Sequence, residues 1–300
     1  MKKKILGLVL GLFLLVGCGG GSSSSDGEAV GMSISTLSNP FFVTIKESAE
    51  KQAKESNVAL EVLDAKDDVA KQTSDIETLV NKGVKVIIVN PVESSAVKPA
   101  IEAAIAKDVK IITVDRSAEG VEVTTHIASD NVAGGKLAGD YLIKKLDGKG
   151  KVIELEGRTG ASATIERGKG FNEAVKGKLD VIAKQTAEFD RNKGMTVMEN
   201  LAQANKEFDA VFAHNDEMIL GALQAIKNDK VITVGFDGND DALKSIESGE
   251  LNATVIQQPD IMGVEAIKVA AKIIAGEKVE KTIPVDLVLV DKDNVADFLK

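Results

Sequence analysis

The 300-residue sequence contains no tryptophan, one tyrosine, two histidines, one cysteine and five prolines. With one cysteine, Cys18, no intramolecular disulfide can form. His126 and His214 fall in different halves of the chain, so a histidine-rich metal centre is not supplied and no metal site is expected. No G-x-S-x-G nucleophile elbow, G-x-x-x-x-G-K-[ST] phosphate loop or G-x-G-x-x-G fingerprint occurs. Positive charge is not in excess either. The formal net charge is -9, and without Lys2, Lys3 and Lys4 it becomes -9 - 3 = -12. That argues against a nucleic-acid partner, which requires a basic face. An acidic surface of this kind mainly keeps a protein soluble. Beyond the first residues there is no further apolar run of membrane length.

The N-terminus reads as an export signal. Lys2 to Lys4 form a charged start and Ile5 to Val16 an apolar run too short for an ordinary membrane span. The run ends in Leu15-Val16-Gly17-Cys18, which resembles a bacterial lipobox and implies cleavage before Cys18 and lipidation of its thiol. Gly19 to Gly27 is a Gly/Ser-rich flexible linker. The expected organisation is a signal peptide over 1–17 and a lipidated cysteine with its linker over 18–28. The soluble part then stands outside the cytoplasm, attached to the membrane through the anchor alone.

From Ala29 onward, short β-branched runs alternate with segments of helical periodicity. Val30–Leu37, Ala59–Leu63, Val86–Val89 and Lys110–Val114 read as strands, and helices are expected after Pro40, over Val69–Val80 and over Ser95–Ala106. A short strand over Val121–Ile127 and a helix over Asn131–Leu146 follow. A second series of the same kind starts at Lys151 and ends in an extended tail containing Pro284–Val290. Such alternation predicts βαβ units and parallel sheets, and the number of strands predicts two of them. Gly157-Arg158-Thr159-Gly160 follows a strand but lacks phosphate-loop spacing, so it reads as a tight βα turn.

Four apolar runs end abruptly in polar groups: Asn90-Pro91, Asp115-Arg116, His214-Asn215-Asp216 and Asp237-Gly238. In open α/β sheets ligands bind at the carboxyl ends of strands. Sugar hydroxyls both donate and accept, so Asp, Arg, Asn and Gln are apt partners. Asp115 and Asp237 are offset by Arg116 and Arg167, a balance suited to an uncharged ligand. Phe41, Phe42 and Phe189 can serve its apolar faces or pack in a core. His214 has no nucleophile beside it in sequence and reads as a structural strand-end residue.

Several longer stretches resemble the bacterial D-ribose-binding proteins among the type I periplasmic binding proteins. They are Ser35–Phe42, Ile88–Pro91, Val114–Arg116, His126–Asn131, Glu166–Gly168, Asn215–Met218, Gly235–Gly238 and Pro284–Leu287. The resemblance implies two doubly wound parallel-sheet lobes joined by a three-strand hinge and closing on a sugar. It implies that Asn39, Phe41, Phe42, Asn90, Asp115, Arg116, Arg167, Phe189, Asn215, Asp237 and Gln257 line the pocket. His214, where Gln is common, and Ile165, where a second Arg can occur, are expected outside it. Crossovers are expected near Ser129, Ile261 and Val290. The amino-terminal lobe is then 29–129 plus 262–290, and the carboxy-terminal lobe 130–261 plus 291–300.

The expected function is capture of D-ribose or a similar monosaccharide by a monomeric lipoprotein serving an ABC permease, with no cofactor and no catalysis. A transcription regulator of the same fold would carry a basic DNA-binding head where this chain has an export signal. An enzyme would need a base and a nucleophile in the cleft. Other ligands, namely allose, galactose or a furanose signalling molecule, and a chemoreceptor role, stay open.

Overall fold

The computed structural model describes residues 29–299; Cys18 and the segments expected as signal and linker lie outside the described residues. The first half runs β1 (Ala29–Ile34), α1 (Pro40–Glu55), β2 (Ala59–Asp64), α2 (Val69–Asn81), β3 (Val86–Val89), α3 (Lys98–Ile105), β4 (Lys110–Val114), β5 (Thr125–Ala128). The second runs α4 (Asn131–Lys145), β6 (Lys151–Glu156), α5 (Ser162–Val175), β7 (Asp180–Thr186), α6 (Arg191–Ala204), β8 (Ala210–Ala213), α7 (Asp216–Leu223), β9 (Ile232–Asp237), α8 (Asp240–Ser248), β10 (Ala253–Ile256). After these come α9 (Pro259–Ile274), β11 (Thr282–Pro284) and β12 (Val288–Asp291).

The strands form two six-stranded sheets, ordered β11-β5-β4-β3-β1-β2 and β12-β10-β9-β8-β6-β7. All pairings are parallel except β10 with β12. These are the two α/β lobes expected from the alternation of strands and helices. The unbroken apolar runs follow from burial on both faces. In β3, Val86 and Ile88 join the core beneath α1 and α9, whereas Ile87 and Val89 join the core beneath α2 and α3. In β8, Val211 and Ala213 turn to one core and Ala210 and Phe212 to the other. Each fully buried Val or Ile contributes about 1.5–3 kcal/mol of apolar burial.

The chain passes between the sheets three times: after β5, after β10 and between β11 and β12. The third passage differs from the expected one near Val290. β11 pairs with β5 in the first sheet, whereas Val288–Asp291 already pairs with β10 in the second. Val285 is buried in the first lobe's core and Val290 in the second's, so the passage falls at 285–287. The tail that read as one extended segment is thus two strands in different sheets. Two smaller differences have local causes. α3 starts at Lys98, with Pro99 in its first turn, rather than at Ser95. The strand expected from Val121 begins at Thr125, where pairing with Ile112 starts.

One close approach sets the position of a site helix. A Cβ on Gly170 of α5 would lie 1.9 Å from the Val132 carbonyl oxygen of α4, and one on Gly135 would lie 2.1 Å from the Arg167 carbonyl oxygen. The two helices touch backbone to backbone, which gives Gly168-Lys169-Gly170 a packing role.

Candidate ligand-binding site

The carboxyl ends of both sheets face a narrow gap between the lobes. Asn39, Phe41, Phe42, Asp115, Arg116, Arg167, Phe189, Asn215 and Asp237 line it, together with Ala163. Nine of the eleven expected residues therefore converge on one space. Asn90 and Gln257 stand immediately behind it. Asn90 donates from Nδ2 to Asp115 Oδ2 at 3.1 Å and to the Val114 carbonyl at 3.0 Å, and accepts the Ser35 N–H at 3.3 Å. Gln257 donates from Nε2 to Asp237 Oδ1 at 3.0 Å.

Helix starts place several of these groups. Asn39 caps α1, its Oδ1 accepting the Phe41 N–H at 2.9 Å, and Pro40 fixes the first turn. That start puts Phe41 and Phe42 edge to face, with centroids 5.3 Å apart. Both belong to the first lobe's core as well as to the cavity wall, so the two readings of these rings are compatible. Asn215 caps α7, accepting the Met218 N–H at 3.0 Å and donating to the Phe189 carbonyl at 3.3 Å. Asp115, Phe189 and Asp237 have φ of 63°, 62° and 122°. Non-glycine residues held at positive φ are strained and cluster at functional sites. The expected turn at Gly157 serves one of them, because a Cβ there would lie 2.1 Å from the Phe189 ring.

The two arginines sit in different surroundings. Arg116 is 3 % exposed and lies between the Phe42 and Phe189 rings, 5.0 and 5.1 Å from their centroids. Its Nη1 donates to the Pro91 carbonyl at 3.1 Å, and its Nε is 3.7 Å from Asp115 Oδ2. Burial pulls its guanidinium below the ordinary arginine range, and the charges of Asp115 and Asp67 oppose that pull. Arg167 donates from Nε to Asn131 Oδ1 at 2.8 Å and from Nη1 to the His214 carbonyl at 2.6 Å. It also stacks on Phe236 at 3.8 Å and lies 3.5 Å from Asp237 Oδ1. Burial pushes the Asp237 carboxyl well above its usual range, with Arg167 opposing.

Asp115 Oδ1, Arg116 Nε and Gln257 Oε1 are buried without a hydrogen-bond partner. Leaving such groups unmet costs about 1–3 kcal/mol each. Two acidic and two basic side chains on the wall leave no net formal charge. The arrangement can therefore meet a small, uncharged, hydroxyl-rich molecule, with ring edges and faces for its C–H groups.

Sequence reasoning missed Ala163, which has no polar signal, and Asn131 and Asp216, which brace the wall from behind. Asp216 accepts the Gly238 and Asn239 N–H groups at 2.7 and 2.8 Å and the Thr254 hydroxyl at 2.6 Å. Its place beside Asn215 was the available signal. His214 is fully buried, with Nε2 2.9 Å from Glu154 Oε1 and Nδ1 accepting the Gly157 N–H at 3.4 Å. It lies behind the wall, and Ile165 is 53 % exposed. Among the described residues no group of three metal-ligating side chains occurs, and no helix is long and apolar enough to cross a membrane.

The sequence model of the periplasmic binding protein domain matches residues 30–278. The chain belongs to the periplasmic binding protein family. It is 48 % identical over 301 residues to the ribose import binding protein of Bacillus subtilis, covering 96 % of this chain and 99 % of that one. The Caulobacter myo-inositol binding protein, solved with myo-inositol, superposes with a TM-score of 0.86 at 32 % identity, over 90 % of this chain and 95 % of its own. The Shewanella arabinose transporter's binding protein, solved with L-arabinofuranose, gives 0.84 at 31 % identity, over 90 % and 94 %. The resemblance carried by the short motifs thus extends over most of the chain.

Proposed function

We propose that this protein captures D-ribose, or a closely similar monosaccharide, by closing two lobes around it outside the cytoplasm and delivers it to an ABC permease. The observation that carries the reading is the convergence of nine charge-balanced polar and aromatic side chains on one inter-lobe cavity. The high identity to a protein named for ribose import supports the choice of sugar. In this reading Asp115 accepts from sugar hydroxyls, and Arg116 and Arg167 donate to hydroxyl or ring oxygens. Asn39 keeps an NH₂ to donate after using its oxygen on the helix cap. Phe41, Phe42 and Phe189 cover the apolar faces. The site binds and releases; the chain acts as a monomer and no step of chemistry is assigned to it.

Neighbours solved with an inositol and a furanose favour testing a wider set of ligands. A thermal-shift panel of pentoses, hexoses and myo-inositol decides. At about 100 times its dissociation constant a ligand adds about 2.7 kcal/mol of stability. Ribose is expected to raise the melting temperature most. A larger shift with allose, galactose or inositol reassigns the ligand, and no shift with any of them overturns sugar capture.

The anchor is part of the same reading. Two acyl chains hold a protein stably where one holds it marginally. Cys18→Ala should move the protein from the detergent phase to the aqueous phase or leave it unprocessed; unchanged partitioning counts against lipidation.

A further inference from the structure

Helix α5 brings Ala163 and Arg167 to the cavity, yet it begins without a side-chain cap of its own. Ala161 stands at the capping position and makes no such bond. A helix start leaves N–H groups with no partner inside the helix, and an oxygen-bearing side chain normally serves one of them. Here an acceptor comes from the opposite lobe. Ser94, in the turn between β3 and α3, accepts the Ser162 N–H on its Oγ at 3.0 Å. Its own N–H donates to the Gly160 carbonyl at 2.9 Å. Ser162 Oγ in turn accepts the N–H of Ser117, the residue after Arg116, at 3.0 Å. All three bonds run from one lobe to the other, and neither serine lines the cavity. Ser94 is fully buried and Ser162 is 4 % exposed. The helices α1 and α7, by contrast, are capped by Asn39 and Asn215 from their own chain starts.

We propose that Ser94 is a positioning residue for closure: it caps α5 across the cleft, so that shutting the lobes gives Arg167's helix an acceptor that it lacks when they part. The inference rests on sugar capture by hinge closure. It makes affinity depend on a residue that never touches the ligand. When the lobes part, Ser94 and the Ser162 N–H both pass into water, so the bond contributes to the closed state alone.

The test compares wild type with Ser94→Ala in the full chain. Calorimetric titration with ribose gives the dissociation constant, stopped flow the release rate, and calorimetric melting the stability of the ligand-free protein. The expected loss is about 2- to 30-fold in affinity, from the ~0.5–2 kcal/mol of a lost helix cap at 1.4 kcal/mol per decade. Release should be faster, and the ligand-free melting temperature unchanged. Ser162→Ala, which keeps its own N–H but no longer accepts from Ser117, should move affinity in the same direction. A Ser94→Ala protein that melts lower without ligand yet binds ribose normally shows a merely structural serine and overturns the proposal. So does an unchanged dissociation constant and release rate. If the wild type binds no sugar of the panel, sugar capture fails and the cap proposal, which rests on it, falls with it; sugar binding by the wild type that Ser94→Ala leaves unchanged overturns the cap alone.

Discussion

The two walls of the cavity are built differently. On the amino-terminal side, Asp115 and Arg116 stand at the end of β4 with Asp115 Oδ1 and Arg116 Nε unpartnered. On the carboxy-terminal side, Arg167 is already held by Asn131, His214 and Asp237, and the turn after Asp237 is held by Asp216. One wall keeps hydrogen-bonding capacity in reserve; the other has spent most of its own on rigidity. Among the residues lining or backing the cavity on the second side, Gln257 Oε1, behind Asp237, is also unpartnered, as are Asn239 Nδ2 in the next turn and Arg158 Nε at the rim. A polar group without a partner gains most when a ligand supplies one, whereas a braced group is pre-organised and gains by not having to move. Substitutions on the first wall should therefore read out as affinity, and those behind the second as stability.

The largest effect is expected at Asp115. Asp115→Ala removes the acceptor oxygens and leaves Arg116 less compensated in a closed, dry cleft. A loss of roughly 2–4 kcal/mol of binding, about 30- to 1000-fold, is expected by calorimetric titration, with the ligand-free protein still folded. Less than fivefold weakening would remove Asp115 from the site. The second effect is at Asn131. Asn131→Ala strips Arg167 Nε of its partner while the His214 carbonyl and Asp237 remain. A buried donor left unmet costs about 1–3 kcal/mol, so the melting temperature should fall more than affinity does. An unchanged melting point with tens-fold weaker binding would erase the distinction between the walls.

Asp216 gives a third and smaller handle, through pH. Burial pushes its carboxyl up to about 7, against the three hydrogen bonds that it accepts. The folded state therefore holds a proton that the unfolded chain releases near pH 4. Its contribution is present in full below that pH and fades as pH rises towards 7, by at most about 1.4 kcal/mol per pH unit for one proton. In Asp216→Asn the carboxamide oxygen can still accept the Gly238 and Asn239 N–H groups while its NH₂ donates to Thr254. Calorimetric melting between pH 4.5 and 7.5 should show a shallower fall for the variant than for wild type, and parallel curves would speak against a buried protonated carboxyl.

Most of this was legible in the sequence, for physical reasons. β-branched runs buried on both faces announce parallel strands, and polar residues at their ends announce a site. Asn215 was readable as a polar residue at the end of an apolar run, and Asn39 through the resemblance carried by Ser35–Phe42. Ala163 was not, since an aliphatic residue at a cavity wall looks like core. Asn131 and Asp216 were harder still, because bracing depends on which side chains three-dimensional packing brings behind the wall. The passage between β11 and β12 escaped for a similar reason. Pro284–Val290 reads as one extended segment in the sequence, and only pairing partners far away in sequence, His126 to Ala128 and Ala253 to Ile256, divide it between two sheets.

The smallest effect is expected at the cleft mouth. Arg158 Nη2 lies 3.3 Å from Asp67 Oδ2, and among the described residues this is the ion pair that joins the lobes. Its side chains are 20 % and 31 % exposed, so water screens it in a way that it cannot screen the serines beneath. Exposed or half-exposed pairs contribute about 0–1 kcal/mol. Burial raises the Asp67 carboxyl while Arg158 lowers it, so the pair offsets a cost as much as it adds an attraction. Arg158→Ala should therefore weaken sugar binding by less than about fivefold. What loss there is should shrink between roughly 0.05 and 0.5 M salt, because the Debye length falls below about 10 Å in that range. Wild type and variant titrated at both salt concentrations would show it. A loss above tenfold, or one that salt leaves intact, would mean that the mouth rather than the interior holds the lobes shut, and the contrast between the two walls would then matter less than the contact at their rim.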